Sequence, residues 1–297
     1  GPRAPSARLP PLMRRGGPLF GRVLLPAALA VAAGCGRGPE RPSTPPVRPS
    51  LLLVTLDTTR ADALAPEAEA GATPSFAALA ARGLRFAQAY ATAPTTLPSH
   101  ASMLTGLYPA GHGLHENGRR LADGVPIVTE RLRELGYATA AFVSGYPLER
   151  RFGLARGFDD YDDAFGEGRL ERSARETTDR ALAWLARPEA RPRFLWVHYY
   201  DPHDPYEPPE PFRSRFPDDP YLGEIAAMDA ELGRLVAAFE ASAAGRGAGI
   251  VVAADHGEGR GDHGEMLHGN LLYQGVMRVP LVVAGAGVGT GTRTPPV

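Results

Sequence analysis

Five apolar runs punctuate the chain: LLLVTLD from residue 51, ATAAFVS from 138, RFLWVHYYD from 193, GIVVAAD from 249 and VPLVVAG from 279. Each is short, rich in β-branched or aromatic residues and apolar at successive positions, as a strand buried on both faces requires. Between them, apolar residues recur every three or four positions. TPSFAALAARGLRFAQAY (73–90) opens on a Thr-Pro helix start, and Ile225, Met228, Leu232, Leu235, Val236 and Phe239 fall on one helical face that reads as core. A shorter helix is expected near Pro98 to Thr105, closed by Gly106. Strands alternating with helices predict an α/β fold, a mainly parallel sheet sandwiched between helices. No internal repeat is present. The final GTGTRTPPV, directly after a strand, reads as a loop leading onward, so the domain is expected to continue past residue 297.

The first fifty residues break this pattern. Met13-Arg14-Arg15 precedes an apolar run from Val23 to Gly34, too short to span a bilayer but suited to a signal segment. The run ends Ala32-Ala33-Gly34-Cys35, which resembles a bacterial lipobox, and Cys35 is the only cysteine of the chain. The expectation is a lipoprotein-type signal over 1–35, a Pro-rich tether over 36–49, and a folded domain over 50–297. Acylated Cys35 would then hold the protein on a membrane outside the cytoplasm, in the periplasm or at the cell surface. With a net charge of −1, no Lys and no basic run, the chain offers no footprint for nucleic acid.

Ligands of open parallel sheets bind beyond the carboxyl ends of the strands. Asp57 ends one apolar run, and Asp255-His256 ends another. Two carboxylates and an imidazole delivered to one sheet edge suit a divalent cation, although each residue alone would pass for a loop or cap residue. Thr96 stands at the positive end of the short helix, where it is either a cap or a hydroxyl that a bound metal activates.

Four longer stretches, LLLVTLDTTRADAL, TTLPSHASMLTGLYPAGHGLHENG, VHYYDPHDPYEPPEPF and ADHGEGRGDHGEMLHGNLLYQGVMRVPLVV, resemble in order the signatures of the sulfatase family within the alkaline phosphatase superfamily. The resemblance implies an alkaline phosphatase-like fold, with Asp57, Asp255 and His256 as metal ligands and Thr96 as a covalent nucleophile that also touches the metal. It implies that His203, Asn117 and His100 contact the transferred group. His268 stands where many sulfatases carry a lysine and could donate a proton to the leaving oxygen. His112, His115, His198 and His263 receive no role.

The departures shape the expected chemistry. Sulfatases make formylglycine from Cys or Ser, whereas this chain reads Thr96-Leu97-Pro98-Ser99-His100, similar to the Thr-x-Pro-Asn-His of nucleotide pyrophosphatase/phosphodiesterases. Thr58 replaces a second Asp, and the Asp201-Pro202-His203 spacing is too tight for a two-metal site. These features imply one divalent metal ion, Zn or Mn favoured and Ca possible. They further imply a hydrolase or transferase cleaving phosphoric or sulfuric esters of a small molecule, glycan or lipid through Thr96. The rivals are a true sulfatase acting through unmodified Thr96 and a non-catalytic metal-binding scaffold.

Overall fold

The computed structural model describes residues 47–294 apart from 65, 70, 244 and 286. The signal segment, Cys35 and most of the tether lie outside the described residues. Strands are β1 (Ser50–Leu56), β2 (Leu84–Phe86), β3 (Ala89–Tyr90), β4 (Ala138–Phe142), β5 (Asp160–Asp162), β6 (Arg193–Tyr199), β7 (Ala248–Ala254), β8 (Arg278–Val279), β9 (Leu281–Gly285) and β10 (Gly291–Arg293). Helices are α1 (Pro74–Arg82), α2 (Thr96–Thr105), α3 (Pro109–His112), α4 (Val128–Glu134), α5 (Ala174–Leu185), α6 (Phe212–Arg215), α7 (Pro220–Ser242) and α8 (Gln274–Met277).

Eight strands form one sheet in the order β10-β2-β9-β7-β1-β6-β4-β5, and β3 pairs separately with β8. From β7 to β5 every pairing is parallel, while β9 runs antiparallel to β7 and to β2. The sheet is therefore mainly parallel, as expected, with one reversed strand near an edge. All seven residues of β6 are buried, because successive side chains enter two separate cores. Leu195, Val197 and Tyr199 join Leu52, Val54, Leu56 and the apolar stripe of α7 on one face. Phe194 and Trp196 join Leu97, Leu104 and Ile127 on the other. Each fully buried large apolar side chain contributes about 1.5 to 3 kcal/mol, so both faces of the central strands are firmly held.

One expected helix is shorter than its pattern. The segment opening at Thr73-Pro74 stops at Arg82, and Leu84–Phe86 turns into β2. Gly83 marks the break: a Cβ there would lie 2.6 Å from the Val283 carbonyl oxygen and 2.8 Å from Ala284 Cβ, so the chain passes too close to β9 for a helix to continue. Asp229 of α7 fixes the other end of α1, its carboxylate accepting from the Ser75 and Phe76 N–H groups at 2.8 Å. Among the described residues no helix is long and apolar enough to cross a membrane.

Candidate active site

Backbone pairing places the first two candidates. β1 lies between β6 and β7, with Leu56 level with Tyr199 on one side and Ala254 on the other. The next residue on each side leaves the sheet at the same edge: the Asp57 N–H donates to the Tyr199 carbonyl at 2.9 Å, and the Asp255 N–H to the Leu56 carbonyl at 3.2 Å. Neighbouring strand ends thus deliver both carboxylates together, and His256 follows directly.

All three side chains are fully buried. Each has one atom committed elsewhere. His198 Nε2 donates to Asp57 Oδ2 at 3.1 Å, the His256 N–H donates to Asp255 Oδ1 at 2.7 Å, and His256 Nδ1 donates to the Gly257 carbonyl at 2.9 Å. The remaining atoms, Asp57 Oδ1, Asp255 Oδ2 and His256 Nε2, are buried without a hydrogen-bond partner. These three face one another. Nε2 lies 3.7 Å from Asp57 Oδ1 and 3.5 Å from Asp255 Oδ2, close to the roughly 3.4 Å between two ligands at a tetrahedral angle on bonds of about 2.1 Å. Orphaned buried polar atoms are costly, and three that converge fit a divalent cation. One imidazole and two carboxylates form a donor set suited to Zn or Mn. Among the described residues this is the one group of three or more ligand atoms that close together.

The electrostatics agree. Burial works against ionised Asp57, but the hydrogen bond from His198 and the charges of His256 and His198 outweigh it and hold the carboxyl below the usual range. Burial, then the charge of Asp57, pushes Asp255 well above that range. Two carboxylates at such separation cannot both ionise easily unless a cation lies between them. Burial pulls His256 down to about 4, which keeps Nε2 free of a proton and able to ligate.

Thr96 is the first residue of α2, not its cap; Thr95 holds the cap position. The first turn of α2 is drawn against Asp255: Ser99 Oγ donates to the Asp255 carbonyl at 2.7 Å, and His100 Nδ1 lies 3.4 Å from Asp255 Oδ2. Thr96 opens the same turn, its carbonyl accepting from His100 Nδ1 at 2.8 Å, and has 1% of its surface exposed. Asn117 arrives from the loop beyond α3, its Oδ1 accepting from the Leu97 N–H at 2.8 Å. That bond satisfies one of the free donors of the helix start.

The histidines occupy distinct layers. His100 is buried beneath the site with both nitrogens engaged, Nδ1 by the Thr96 carbonyl at 2.8 Å and Nε2 by Thr55 Oγ1 at 2.9 Å. Its ring holds the turn that carries Thr96, and burial, which leads the causes, pulls it down to about 3. His268 packs beside His256 with ring centres 4.4 Å apart, and His203 meets His268 at 5.6 Å. His203 also stacks on Tyr200 at 4.2 Å. His268 Nδ1 lies 3.0 Å from Glu258 Oε1; burial lowers the imidazole, but that hydrogen bond and the charge of Glu258 prevail and raise it. Thr58 turns its hydroxyl to the Pro202 carbonyl, away from the carboxylates.

Two contributors lie inside the family-like stretches without a role that the sequence assigns. His198 sits inside β6, where a polar residue in an apolar strand reads as a satisfied core group, yet it orients Asp57. Glu258 is fully buried and holds both His268 and the Tyr206 hydroxyl, the latter at 3.1 Å. Of the other unassigned histidines, His112 bonds Ser102 Oγ at 3.0 Å and the Leu114 N–H at 3.1 Å, and His263 stacks on Tyr273; both are structural contacts.

Known proteins resemble the chain in sequence and in fold. The family model described as Sulfatase matches residues 49–295. The chain is similar to an arylsulfatase of Klebsiella aerogenes, 26% identical over 57% of this chain and 46% of that protein. It is also similar to a choline-sulfatase of Rhizobium meliloti, 23% identical over 84% of this chain and 65% of that protein. The chain thus spans less than two thirds of the length of either. The crystal structure of a phosphonate monoester hydrolase of Agrobacterium radiobacter superposes with a TM-score of 0.67 at 21% identity, covering 80% of this chain and 68% of that one. A match along nearly the whole described domain places the chain in the sulfatase family, within the alkaline phosphatase superfamily.

Proposed function

We propose that the chain is a metal-dependent ester hydrolase or transferase that acts through Thr96, with phosphoric esters turned over faster than matched sulfuric esters. The observation that carries the reading is the convergence of three unpartnered atoms from Asp57, Asp255 and His256 beside the start of α2. A divalent cation bound there would neutralise charge on the ester oxygens and favour the alkoxide of Thr96.

In the first step the Thr96 hydroxyl gives its proton to solvent water and its Oγ1 bonds the phosphorus as the bond from phosphorus to the alcohol oxygen breaks. His268 gives a proton to the departing oxygen, a task suited to an imidazole raised by Glu258. Water then cleaves the threonine ester and restores the hydroxyl. The Asn117 amide supplies a donor toward the transferred group; His203, its Nδ1 donating to the Asp204 carbonyl at 3.0 Å and its Nε2 accepting from the Tyr200 hydroxyl at 3.1 Å, reaches that group only by exchanging one of these bonds, and His100 positions Thr96 from below. A sulfated threonine lacks the elimination route that a formylglycine hydrate provides, which is why phosphoric esters are favoured. The sulfatase family membership supports the rival, sulfuric esters cleaved through the same hydroxyl. Beyond the domain, Cys35 is proposed as an acylated membrane anchor, with the protein outside the cytoplasm.

The test is a panel of aryl sulfate, phosphate monoester, phosphodiester and phosphonate substrates with metal-stripped and reconstituted protein. Metal-dependent turnover led by a phosphoric ester is expected. Aryl sulfates hydrolysed at least as well as every phosphoester would return the site to sulfate chemistry, and no turnover alongside tight metal binding would make the chain a scaffold.

A further inference from the structure

Five side-chain polar atoms are buried without a hydrogen-bond partner among the described residues. Three are the converging atoms of Asp57, Asp255 and His256. A fourth, Oε2, belongs to Glu224, which lines a cavity with Glu171, Asp201, His203 and Glu207. The fifth is the hydroxyl oxygen of Thr95, the residue directly before Thr96.

The local sequence explains why that hydroxyl is idle. Thr95 holds the cap position of α2 with extended backbone, φ −144° and ψ 148°, where a threonine ordinarily accepts from the N–H of the second or third helical residue. Here the third is Pro98, which has no N–H, and the N–H of the second, Leu97, is taken by Asn117 Oδ1 at 2.8 Å. The Thr95 carbonyl still accepts from the Ser99 N–H at 3.2 Å, so the backbone of Thr95 serves the helix and its side chain does not. A buried hydroxyl with nothing to bond costs free energy, and a partner arriving from outside the chain accounts for its retention.

Its neighbours are the two residues that begin and end the transfer. One peptide bond joins Thr95 to Thr96. The methyl carbon Cγ2 faces Gly269, where an added Cβ would lie 3.4 Å away. Gly269 directly follows His268, whose ring packs on that of His256 with centres 4.4 Å apart. The transferred group occupies the same interval, from the oxygen that attacks to the oxygen that leaves, and its ionised non-bridging oxygens are acceptors only. We propose that the Thr95 hydroxyl is a further catalytic group, donating a hydrogen bond to a non-bridging oxygen of the group that Thr96 accepts. The proposal rests on the reading of Thr96 as the nucleophile. A donor already fixed in a buried place gains most as charge grows on that oxygen.

The test titrates orthophosphate by calorimetry into Zn-loaded wild type, Thr95→Val and Thr95→Ser, and measures the melting temperature of each protein without metal. Thr95→Val is expected to bind phosphate about tenfold or more weakly than the wild type, with Zn content unchanged. Thr95→Ser, which keeps the hydroxyl, should recover most of that loss. Metal-free Thr95→Val should melt no lower than the wild type, since valine removes only a hydroxyl that has no partner. Equal phosphate affinity in the wild type and Thr95→Val overturns the proposal, as does a loss that Thr95→Ser leaves in place. A melting temperature lower by about 2 °C or more in metal-free Thr95→Val also overturns it, because that is the loss of a working cap. Turnover of the best ester from the substrate panel is the second readout, with kcat/KM of Thr95→Val expected to fall about 10²-fold. A wild-type value overturns the Thr95 contact and leaves the Thr96 reading standing. Weakened phosphate binding in a protein that turns over no ester supports the contact and overturns the ester-transfer reading.

Discussion

His198 Nε2 donates to Asp57 Oδ2 across 3.1 Å, joining two residues 141 positions apart. The Ser144 N–H, donating to His198 Nδ1 at 3.3 Å, leaves the ring proton on Nε2. The imidazole thereby turns the other oxygen of Asp57 toward Asp255 and His256. His198→Ala should weaken metal binding about 10- to 100-fold, read by competition with a chelator, with the circular dichroism spectrum retained. His198→Gln, which keeps a donor, should recover part of the loss. Unchanged affinity in His198→Ala would reduce the residue to core filling.

Asp255→Asn should affect the metal-free and metal-loaded proteins in opposite ways. Without metal it removes a buried carboxylate that faces Asp57, so its melting temperature should exceed that of the metal-free wild type by about 3 °C or more. With metal the order should reverse, because a ligand that binds only the folded state stabilises in proportion to its affinity. Thermal scans of both proteins with and without Zn or Mn decide this, and an equal metal-induced rise in the two would remove Asp255 from the ligand set.

Thr96→Ala should lower turnover by about 10³-fold or more, while metal content measured by mass spectrometry stays near that of the wild type, since Asp57, Asp255 and His256 remain. Activity close to wild type would leave Thr96 as the opening residue of a helix and nothing more.

Glu224 carries a pH signature in stability. In the folded protein it keeps its proton up to about 8, against 4.5 for an unperturbed glutamate. Between those values the folded chain binds more protons than the unfolded one, so this residue makes stability fall as pH rises from about 4.5 to 8. Acidic Asp201, Glu171 and Glu207 face it, along with His203 and the internally paired Arg169 and Arg172. Glu224→Gln should match the wild type near pH 5 and be the more stable protein at pH 9, by about 2 to 4 °C for each kcal/mol recovered. Melting curves that stay parallel across that range would contradict it.

Much of this was legible in the residues themselves. The five apolar runs are strands because residues that are apolar at every position have a place only where both faces of a sheet are covered. Their ends mark the cluster of Asp57, Asp255 and His256, since a polar residue directly after such a run emerges at the sheet edge. The direction of β9 was not legible, as an apolar run reads the same in either orientation. The end of α1 at Gly83 depends on the proximity of Val283, a contact the local pattern does not encode. His198 and Glu258 escaped for a related reason: each stands in one of the family-like stretches, but acts on a side chain that only the fold brings near. His100 was expected among the groups facing the ester, and the structure instead engages both its nitrogens beneath Thr96.

The placement of β1 between β6 and β7 has a consequence for how the protein comes into being. Both of its neighbours are synthesised long after it, so the strand that bears Asp57 waits unpaired while most of the domain emerges. Distant pairings form slowly, since the intervening chain must be closed into a loop before any contact rewards it. A cation held by Asp57, Asp255 and His256 would therefore be captured late in the life of the molecule. A fragment ending before β7 would contain the threonine, its helix and one carboxylate, and it would have nothing with which to grip a cation.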